Sequence, residues 1–597
     1  MSNNVNSYDI MSKYYKFIYN HQISNENHVV NYLTYILINL KKSNKFLDIG
    51  CGTGIFTQKL HNNFSESIGI DPCKSMIDQV TNNKNIKYYN LFLHEYDGKN
   101  FDLITSFSQV INHLKTYDLL FDFIKYSSEK LNDEGLFYFD VFNNKYFEFN
   151  NPSELKRDLS PNMYYKVKPT KLEKKLDHTF MKLENYIYDN GQTYNYDLDI
   201  YMWDIDLIIQ ICQINNLVII QNTKMLDLQK TDTIKYHKIS LLFKKIKRID
   251  LISNKVINPM NINKLLERSI NLKTLTNYGP NVKLLEYLIR QKFKINDNKS
   301  IIVTNNGSSA LQTLALGIQK FEDNFNNWTT QSFTFVSAHQ GSLSESEIVD
   351  IDNDYSLDLS LVNKNSIGII LTNIFGNICN IEKYENWCKD NNKFLIFDNA
   401  ATPYTFYNNI NSLNYGNGSI ISFHHTKGLG YGEGGAIIID NKYESMIRNL
   451  INFKSDKTIF DKNGNNFKMS EISACYILSY LENMENIINY NKELYSHFKK
   501  LLSNLDNFKL YPKFYDGDDF FSTLIPIICE NNSKYYIEEL KKNNIFSKKY
   551  YKPLDNSKKS NDLYEKILCI PCHHDMLKED IDNIINILKT KPKINKN

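Results

Sequence analysis

The sequence predicts two α/β domains in tandem, each built on a mostly parallel sheet. Up to about residue 245, short apolar runs alternate with helical stretches, and the runs KFLDIG, SIGID, IKYYN, FDLITSF and GLFYFDVF are typical of buried strands. A second alternation begins near Leu251 and includes SIIVTNN, SIGIILTN and FLIFDNA. A chain of 597 residues is too long for one core, since domains contain about 50–250 residues. We therefore predict domains at residues 1–245 and 246–597.

Two segments refine this prediction. Apolar and polar residues alternate on both sides of Asp189-Asn190-Gly191, and Asn-Gly in that setting is a strong signal for a β-hairpin. We therefore expect an antiparallel hairpin inserted late in a mostly parallel, seven-stranded, Rossmann-like sheet. In the second domain, FTFVSAH is predicted to be a strand that ends at Phe335.

Composition disfavours several classes of function. The 70 basic and 67 acidic residues leave a net charge of +3, so charge gives no reason to expect a nucleic acid or an anionic membrane as partner. No apolar run approaches the ~18–20 residues of a membrane helix, and the N-terminus lacks a signal-peptide pattern. Nine scattered cysteines without such a signal favour reduced thiols. We expect a cytoplasmic protein.

The segment CIPCHH, residues 569–574, has the spacing of a haem-attachment motif. We interpret it instead as the end of a strand, ILCIP, followed by a helix. A proline interrupts the motif, and no second pair of metal ligands lies nearby in the sequence. No metal site is predicted.

The segment LDIGCGTG lies where a strand leads into a helix. Its glycines at Gly50, Gly52 and Gly54 follow Asp48, whereas a dinucleotide fingerprint would place the third glycine one residue later. A carboxylate at Asp48 suits a cationic cofactor better than a diphosphate. Asp71 ends the second strand, where it can accept hydrogen bonds from ribose hydroxyls. An ordinary βα turn is the alternative interpretation.

With these motifs, the first ~245 residues resemble class I S-adenosylmethionine-dependent methyltransferases. The resemblance implies that Gly50, Gly52 and Gly54 cradle the methionine end of S-adenosylmethionine and that Asp71 binds its ribose. SFSQVINHLKT stands where nucleic-acid amino-methyltransferases usually carry a Pro-Pro-aromatic motif, and it resembles small-molecule enzymes, including those acting on nucleotide-linked deoxysugars. Their catalytic-site histidine would be His113, because a neutral imidazole can accept a proton from an attacking amine or hydroxyl. A helix-capping or surface histidine is the alternative.

Four features of the second domain belong together. SFHHTKGLGYGEGG places Lys427 beside five of the 22 glycines of the chain. Asp398 ends the apolar strand FLIFDNA, GSSAL opens a helix whose N-terminus can bind phosphate, and Phe335 can stack on a flat ring. These are the parts needed to hold pyridoxal phosphate, with the lysine as Schiff-base partner and the carboxylate on the ring nitrogen. For the lysine alone, a solvated surface charge is the alternative.

Together these motifs resemble the DegT-type nucleotide-sugar aminotransferases of pyridoxal-phosphate fold type I, over almost all of residues 251–597. The resemblance implies that Lys427 binds the cofactor, that Asp398 pairs with the pyridine nitrogen and that Phe335 stacks on the ring. It also implies a homodimer with shared active sites. The phosphate-binding residues would be Ser308, Ser309, Ser422 and, from the neighbouring subunit, Asn466.

Two positions depart from the family pattern. The segment Asn466-Phe467-Lys468-Met469 has lysine where arginine is usual, which keeps the charge and loses a bidentate donor. The segment DNAAT lacks the glutamine or histidine commonly found three residues after Asp398. Both leave the identity of the sugar open. Relatives with histidine in place of the lysine act as dehydratases, so the lysine retained here favours transamination.

The sequence therefore predicts a bifunctional nucleotide-sugar enzyme. The C-terminal domain would convert a keto group of a nucleotide-linked deoxysugar to an amine, with an amino-acid donor, expected to be glutamate. The N-terminal domain would methylate an oxygen or nitrogen of the same sugar or of a related small molecule, a link that rests on the fusion alone. The alternatives are methylation of an unrelated small molecule and a non-catalytic C-terminal domain that senses sugars or acts as a scaffold.

Overall fold

The computed structural model describes residues 2–15, 17–18, 27–81, 83–175, 177–224, 236–453, 463–511 and 520–590. The chain separates into two compact units, Met1–Arg248 and Ile249–Asn597. Each unit has its own sheets and its own hydrophobic core, which confirms the predicted α/β class. Across the described residues, every helix is too short or too polar to span a bilayer.

The first unit contains a mixed sheet and an antiparallel sheet. Its described strands are β1 (Lys45–Ile49), β2 (Glu66–Ile70), β3 (Ile86–Tyr89), β4 (Phe101–Ser106), β5 (Leu131–Phe142), β6 (Leu155–Ser160), β7 (Met163–Lys174), β8 (His178–Asp189), β9 (Gln192–Trp203), β10 (Leu217–Lys224) and β11 (Lys238–Lys245). The seven-stranded sheet has the order β10-β11-β5-β4-β1-β2-β3. Strands β1 to β5 are parallel, and β10 and β11 add an antiparallel pair next to β5.

Burial explains why these strands are visible in the sequence. Every residue of β4 is buried, as are four of the five in β1 and in β2. Parallel strands covered on both faces are apolar throughout. The helices that accompany them are α1 (Ser2–Ser12), α2 (Asn27–Ile38), α3 (Ile55–Leu60), α4 (Lys74–Ile77), α5 (Tyr117–Lys130), α6 (Asn144–Phe149) and α7 (Ile205–Ile214).

The predicted hairpin is half of a four-stranded antiparallel sheet. Strands β8 and β9 meet at Asn190 and Gly191, whose φ angles of 47° and 91° suit a tight hairpin turn. Strands β6 and β7 extend the sheet beyond β8. The sequence does not reveal β7 because Pro169 lies within it, at a register shift between Pro169 and Lys171. Proline is tolerated in strands at such irregular positions.

The second unit is built on another seven-stranded sheet. The described strands are β12 (Lys299–Thr304), β13 (Trp328–Gln331), β14 (Glu347–Val349), β15 (Gly368–Thr372), β16 (Phe394–Asp398), β17 (Phe406–Tyr407), β18 (Ile410–Asn411), β19 (Gly418–Ser422), β20 (Gly435–Asp440), β21 (Phe508–Leu510), β22 (Leu524–Cys529) and β23 (Ile567–Pro571). The main sheet has the order β12-β20-β19-β16-β15-β13-β14. Strand β20 is antiparallel to both of its neighbours, and β21, β22 and β23 form a separate antiparallel sheet.

Helices pack around this sheet and continue to the C-terminal part of the unit. They are α8 (Pro259–Asn271), α9 (Pro280–Phe293), α10 (Gly307–Phe321), α11 (Ile381–Asp390), α12 (Glu444–Leu450), α13 (Glu471–Leu481), α14 (Met484–Leu502), α15 (Lys534–Lys542), α16 (Lys558–Lys566) and α17 (Lys578–Leu588). Helix α10 begins immediately after β12, and the side chain of Asn306 caps it by accepting a hydrogen bond from Ser309 N.

The cysteine-rich segment near the C-terminus is structural. Strand β23 ends at Pro571 and α17 follows, as predicted for CIPCHH. All nine cysteines are buried thiols. Among the described residues, no group of three or more His, Cys, Asp or Glu side chains could hold a metal ion.

Candidate functional sites

A cavity in the first unit lies at the carboxyl ends of its parallel strands. Its walls include Gly50 and Gly52 from the turn after β1, Asp71 from the end of β2 and Ser108 from the end of β4. Open parallel sheets bind their ligands at this edge. The structure therefore brings Asp71 and two of the three predicted glycines into one site.

The glycine-rich turn in this wall requires glycine for its backbone conformation. Gly50, Gly52 and Gly54 have φ angles of 69°, 54° and 77°, in the left-handed region that other residues avoid. A Cβ atom at Gly50 would also lie 2.4 Å from Val110 Cγ2. At Gly52 the nearest atoms would be those of the Tyr15 ring, 3.7 Å away, so this glycine leaves room at the cavity surface.

Two buried carboxylates hold the turn in place. Asp71 Oδ2 accepts a hydrogen bond from Gly52 N at 2.9 Å, which ties the end of β2 to the turn after β1. Asp48 accepts hydrogen bonds from the hydroxyls of Thr57 at 2.6 Å and Thr105 at 2.8 Å. Asp48 is not among the described residues that line the cavity. Its observed contacts join β1 to β4 and to α3, the helix that follows the turn, and cofactor contact by Asp48 stays a prediction.

The electrostatics of these carboxylates fit a cationic ligand. Burial raises the pKa of Asp48 to about 7 and that of Asp71 to about 6. A positive charge nearby would stabilise the ionised carboxylates, whereas the negative charge of a diphosphate would destabilise them. Together with the open glycine surface, the carboxylate of Asp71 in the cavity wall fits S-adenosylmethionine, whose sulfonium is positively charged.

His113 lies in the wall of the same cavity, at the end of the short turn Val110–His113. Its Nε2 atom is 2.9 Å from the hydroxyl of Tyr8. Burial lowers the pKa of His113 to about 4, so the imidazole is neutral at physiological pH. A neutral imidazole can accept a proton, and the predicted catalytic role remains a prediction.

Sequence reasoning missed Tyr8 and Tyr15, two of the aromatic residues of this cavity. Both come from the N-terminal segment. The chain contains 41 tyrosines, so residue type alone does not single out these two. Their position depends on the packing of α1 and the following turn, which no local motif indicates.

A second cavity, of ≈ 620 Å³, lies in the second unit. It is bordered by the carboxyl ends of three neighbouring strands, β15, β16 and β19, and by the N-terminus of α10. The lining residues that these elements contribute are Thr372, Asp398, Ser422, Asn306, Gly307 and Ser308. Lys427, from the turn between β19 and β20, completes the site.

Lys427 and Asp398 influence each other electrostatically in this cavity. Burial lowers the pKa of Lys427 while the nearby carboxylate of Asp398 opposes that shift. Burial raises the pKa of Asp398, which is 2% exposed, and Lys427 opposes that shift in turn. A lowered pKa increases the fraction of unprotonated amine, the nucleophilic form of lysine. A buried carboxylate can pair with a protonated ring nitrogen.

The start of α10 and the end of β19 form a cradle that fits a phosphate group. A Cβ atom at Gly307 would lie 2.9 Å from Ser422 Cβ, so only glycine allows this approach. The first amides of a helix have no acceptor within the helix and attract anions. Ser308 and Ser422 face this cradle, whereas Ser309 and Asn466 are not among the described residues that line the cavity.

Phe335 lines the cavity, but it does not end a strand. Strand β13 stops at Gln331, and Phe335 precedes the short turn Val336–His339. The predicted strand over FTFVSAH was therefore wrong. The reason lies at Ser332, whose carbonyl accepts a hydrogen bond from Leu554 N at 2.9 Å instead of extending the ladder of the sheet.

Further aromatic residues complete the wall around Phe335. The ring of Tyr551 meets Phe335 edge to face, with centroids 6.3 Å apart, and stacks on Phe375 at 5.9 Å. Tyr550 also lines the cavity. In the sequence, these two tyrosines belong to the segment YYKPL. This segment indicates no role for them by itself.

At most of the five glycines after Lys427, a side chain would collide with neighbouring atoms. A Cβ atom at Gly428 would lie 2.4 Å from the ring of Phe521, and one at Gly430 would lie 2.3 Å from the carbonyl oxygen of His424. Among these five glycines, only Gly432 has a φ in the left-handed region, at 65°, and its Cβ position is open. The turn therefore packs closely around the lysine because most of its residues lack side chains.

His424 and Glu433 have no role that the sequence indicates. In the structure His424 Nε2 lies 3.4 Å from Glu433 Oε1, across the turn that carries Lys427. Both residues line the cavity. Their contact joins the two arms of the turn at its solvent side.

Two family models match the chain. The DegT/DnrJ/EryC1/StrS aminotransferase family matches residues 258–589, more than half of the sequence. A methyltransferase-domain model matches residues 19–182. The two matches fall in different units, each of which contains one of the cavities described above.

Curated relatives are similar to the second unit. A dTDP-4-amino-4,6-dideoxy-D-glucose transaminase from Escherichia coli is 26% identical over 370 residues, which cover 55% of this chain and 94% of that enzyme. A UDP-4-amino-4,6-dideoxy-N-acetyl-beta-L-altrosamine transaminase from Helicobacter pylori is 24% identical over 323 residues, with coverage of 49% and 86%. Both relatives act on nucleotide-linked amino sugars, as their names state.

Solved structures agree on the fold of this unit. Helicobacter pylori PseC, an aminotransferase involved in the biosynthesis of pseudoaminic acid, superposes with a TM-score of 0.50 at 23% identity and covers 57% of this chain and 99% of its own. DesI, solved in the presence of its TDP-sugar product, has a TM-score of 0.51 at 20% identity, with coverage of 57% and 92%. These likenesses show the fold alone, and they confirm the predicted aminotransferase architecture.

Proposed function

Because the chain belongs to the DegT/DnrJ/EryC1/StrS aminotransferase family and also carries a methyltransferase domain, we propose a bifunctional enzyme that aminates and methylates nucleotide-linked sugars. The aminotransferase domain transfers an amino group to a keto group of a nucleotide-linked deoxysugar, with glutamate as donor. The names of the relatives support a deoxysugar carried by a nucleoside diphosphate.

The arrangement of Lys427 and Asp398 in one cavity carries this proposal. Pyridoxal phosphate would be held by Lys427 at its aldehyde, by Asp398 at its ring nitrogen and by the cradle of Ser308 and Ser422 at its phosphate. When bound, it supplies an electron sink for reactions at the carbon that bears the amine. Burial lowers the pKa of Lys427, which increases the fraction of unprotonated amine that can take a proton from that carbon and return one.

The exposed aromatic ring of Phe335 supports a flat ligand at this position. Its side chain is 51% exposed at the cavity wall, where stacking on a pyridine ring would cover it. Asn466 is exposed on the same unit, which suits the proposed contact with the phosphate of a neighbouring subunit. We therefore propose that the protein works as a homodimer with shared aminotransferase sites.

The first cavity would bind S-adenosylmethionine through Gly50, Gly52 and Asp71. When bound, this cofactor supplies an electrophilic methyl group. His113 lies in the wall, and its neutral imidazole can accept the proton that an amine or hydroxyl loses when it attacks the methyl carbon. The acceptor is an oxygen or nitrogen of the aminated sugar or of a related small molecule.

The amination test uses the purified protein with pyridoxal phosphate, glutamate and a panel of nucleotide keto-sugars. We expect an absorbance typical of bound pyridoxal phosphate, a borohydride-stable mass increase at Lys427 and an amino sugar detected by mass spectrometry. A protein that binds no pyridoxal phosphate would contradict the catalytic proposal and support a sensing or scaffold role.

The methylation test adds labelled S-adenosylmethionine to the same reaction. Label in the amino sugar is the expected result. Methylation of another small molecule, without label in the sugar, would contradict the shared pathway and leave the amination proposal intact.

A further inference from the structure

Lys255 is a buried lysine that neither proposed site includes. Burial lowers its pKa to about 7, whereas hydrogen bonds to carbonyl oxygens favour its protonated form. It lies in the segment before α8, and its side chain is only 7% exposed. Its ammonium donates hydrogen bonds to the carbonyl oxygens of Lys427 and, at 2.5 Å, of Gly430. The carbonyl oxygen of Gly428 lies 3.5 Å away. The three donors of the ammonium thus face three carbonyls of the turn that carries Lys427.

Tyr480 encloses the same ammonium from α13. The Nζ atom of Lys255 lies 4.7 Å from the centroid of the Tyr480 ring, in range of a cation–π interaction. The hydroxyl of Tyr480 donates a hydrogen bond to Gly428 O at 3.1 Å. Carbonyl dipoles and an aromatic face therefore replace the water that a buried lysine loses.

Main-chain hydrogen bonds also hold this turn, including those from Lys427 N to His424 O at 2.8 Å and from Phe423 N to Gly434 O at 2.8 Å. Gly430 N donates to Lys427 O at 3.0 Å, and His425 N donates to Gly432 O at 2.8 Å. Glycine residues leave the chain more conformational freedom than any other type, and converging carbonyl oxygens repel one another without a cation between them. Removing the ammonium would therefore allow the backbone at Lys427 to move.

We propose that Lys255 is a positioning residue for amino transfer, whose ammonium clamps the Lys427–Gly430 turn and so fixes the Lys427 side chain beside Asp398. This inference rests on the proposed pyridoxal phosphate site. Lys255 acts through Lys427 and does not itself line the cavity, among the residues that the structure describes. A displacement of the reacting amine by about 1 Å can reduce a rate by ~10²-fold.

A second buried lysine of the same unit provides the matched control. Lys299 is 3% exposed, donates to Gly416 O at 2.7 Å and pairs with Asp440 at 2.6 Å. It thus resembles Lys255 in burial and in bonding to a carbonyl, but it contacts a different segment. Replacing either lysine with methionine keeps an unbranched apolar side chain of the same length up to Cε and removes the ammonium.

The experiment compares K255M and K299M with the wild-type full chain, each supplied with pyridoxal phosphate. Both variants are expected to unfold at lower temperature, since each loses a buried ammonium. For K255M we also expect kcat to fall by ~10²-fold and pyridoxal phosphate to bind about tenfold more weakly. Borohydride should reduce the bond between pyridoxal phosphate and Lys427 more slowly in this variant. K299M should stay within about twofold of the wild type in all three, because substitutions away from the site leave its geometry intact.

Equal cofactor affinity, trapping rate and kcat in K255M and K299M would overturn the positioning role. A wild-type protein without pyridoxal phosphate at Lys427 would instead overturn the proposed function, and the positioning role with it. If K255M does not fold, Y480F tests the same turn, because it removes only the hydroxyl that donates to Gly428 O. We then expect a several-fold slower trapping of Lys427, and an unchanged rate would overturn the inference.

Discussion

The two glycine-rich turns of this chain use glycine for different physical reasons. In the first unit Gly50, Gly52 and Gly54 all have φ angles in the left-handed region. In the second unit only Gly432 of the five glycines after Lys427 does, and Gly430 is required because a Cβ atom would collide with backbone. All three glycines of the first turn are required by backbone conformation, and a Cβ atom at Gly50 or Gly54 would also meet a side chain at 2.4 Å, whereas the second turn depends mainly on the absence of side chains.

The turns also differ in what they present to their cavities. Gly50 and Gly52 offer main-chain surface, and the charge nearby comes from Asp71 on the next strand. The second turn carries the proposed reactive group itself, Lys427, which lines the same cavity as Asp398. Substitutions should therefore affect the two activities separately, with strained backbone conformation contributing at every glycine of the first turn and contact dominating in the second.

The largest expected effect is a loss of amino transfer that leaves methyl transfer unchanged. Lys427→Ala removes the amine that we propose binds pyridoxal phosphate and moves the proton, so amino transfer should fall by more than about 10³-fold. Methyl transfer should remain at the wild-type rate, because the first cavity contains no group from this turn. Product mass spectrometry and labelled S-adenosylmethionine measure the two rates in one preparation. Amine formation at the original rate would contradict the assignment of Lys427.

The close contacts in the second turn predict the next largest effect, a loss of stability. Gly430→Ala places Cβ 2.3 Å from His424 O and 2.4 Å from Phe423 C, which are backbone atoms that cannot yield. We expect a loss of about 3 kcal/mol in the free energy of unfolding. Gly432→Ala meets no atom within 4 Å and adopts a φ of 65°, so strain alone should cost about 1–2 kcal/mol. Denaturant unfolding compares the two, and a larger loss for Gly432→Ala would contradict this distinction.

The conformational requirement in the first turn predicts a smaller effect. Gly52→Ala fits without collision, since the Tyr15 ring lies 3.7 Å from the new Cβ, and it should cost about 1–2 kcal/mol through its φ of 54°. Gly50→Ala adds a collision with Val110 Cγ2 at 2.4 Å and should cost more. Calorimetry of S-adenosylmethionine binding and thermal unfolding measure both, and equal losses in the two variants would show that contact plays no part in this turn.

Local patterns in the sequence predict a large part of both sites. Asp71 directly follows an apolar strand, and Asp398 and Ser422 each end one. Because the carboxyl ends of parallel strands meet at one edge of the sheet, these residues lie at the cavities. Residues whose position depends on long-range packing were not predictable. Lys255 has no motif around it, and buried lysines are rare, so its contact with a turn 172 positions later is visible only in the structure.

Strand prediction shows the same limit. FTFVSAH is apolar enough for a strand, but the hydrogen bond from Leu554 to the carbonyl of Ser332 ends the ladder. Strand β7 contains Pro169 and is stabilised by pairing with β8 rather than by its own pattern. Both cases depend on a partner segment, which local sequence does not specify.

The smallest expected effect concerns charge in the first cavity. Because burial raises the pKa of Asp48 to about 7 and of Asp71 to about 6, protons occupy these carboxyls as the pH falls through that range. S-adenosylmethionine, a cation, should then bind several-fold more weakly at about pH 5.5 than at about pH 7.5. S-adenosylhomocysteine lacks the sulfonium charge and serves as the matched ligand. Equal pH dependence of the two affinities would contradict the electrostatic interpretation of this site.

The same carboxyls predict an opposite trend in the stability of the free protein. Their folded pKa values lie above those of the unfolded chain, so between about pH 4 and pH 7 the folded state binds more protons than the unfolded state. The contribution of these groups to the free energy of unfolding therefore rises as the pH falls through this window, while S-adenosylmethionine affinity falls. Asp48→Asn removes the titrating group behind the turn, so the difference in stability between wild type and variant should depend on pH with this sign. A difference that stays constant from about pH 5 to about pH 8 would show that Asp48 keeps an ordinary pKa and would contradict this electrostatic interpretation.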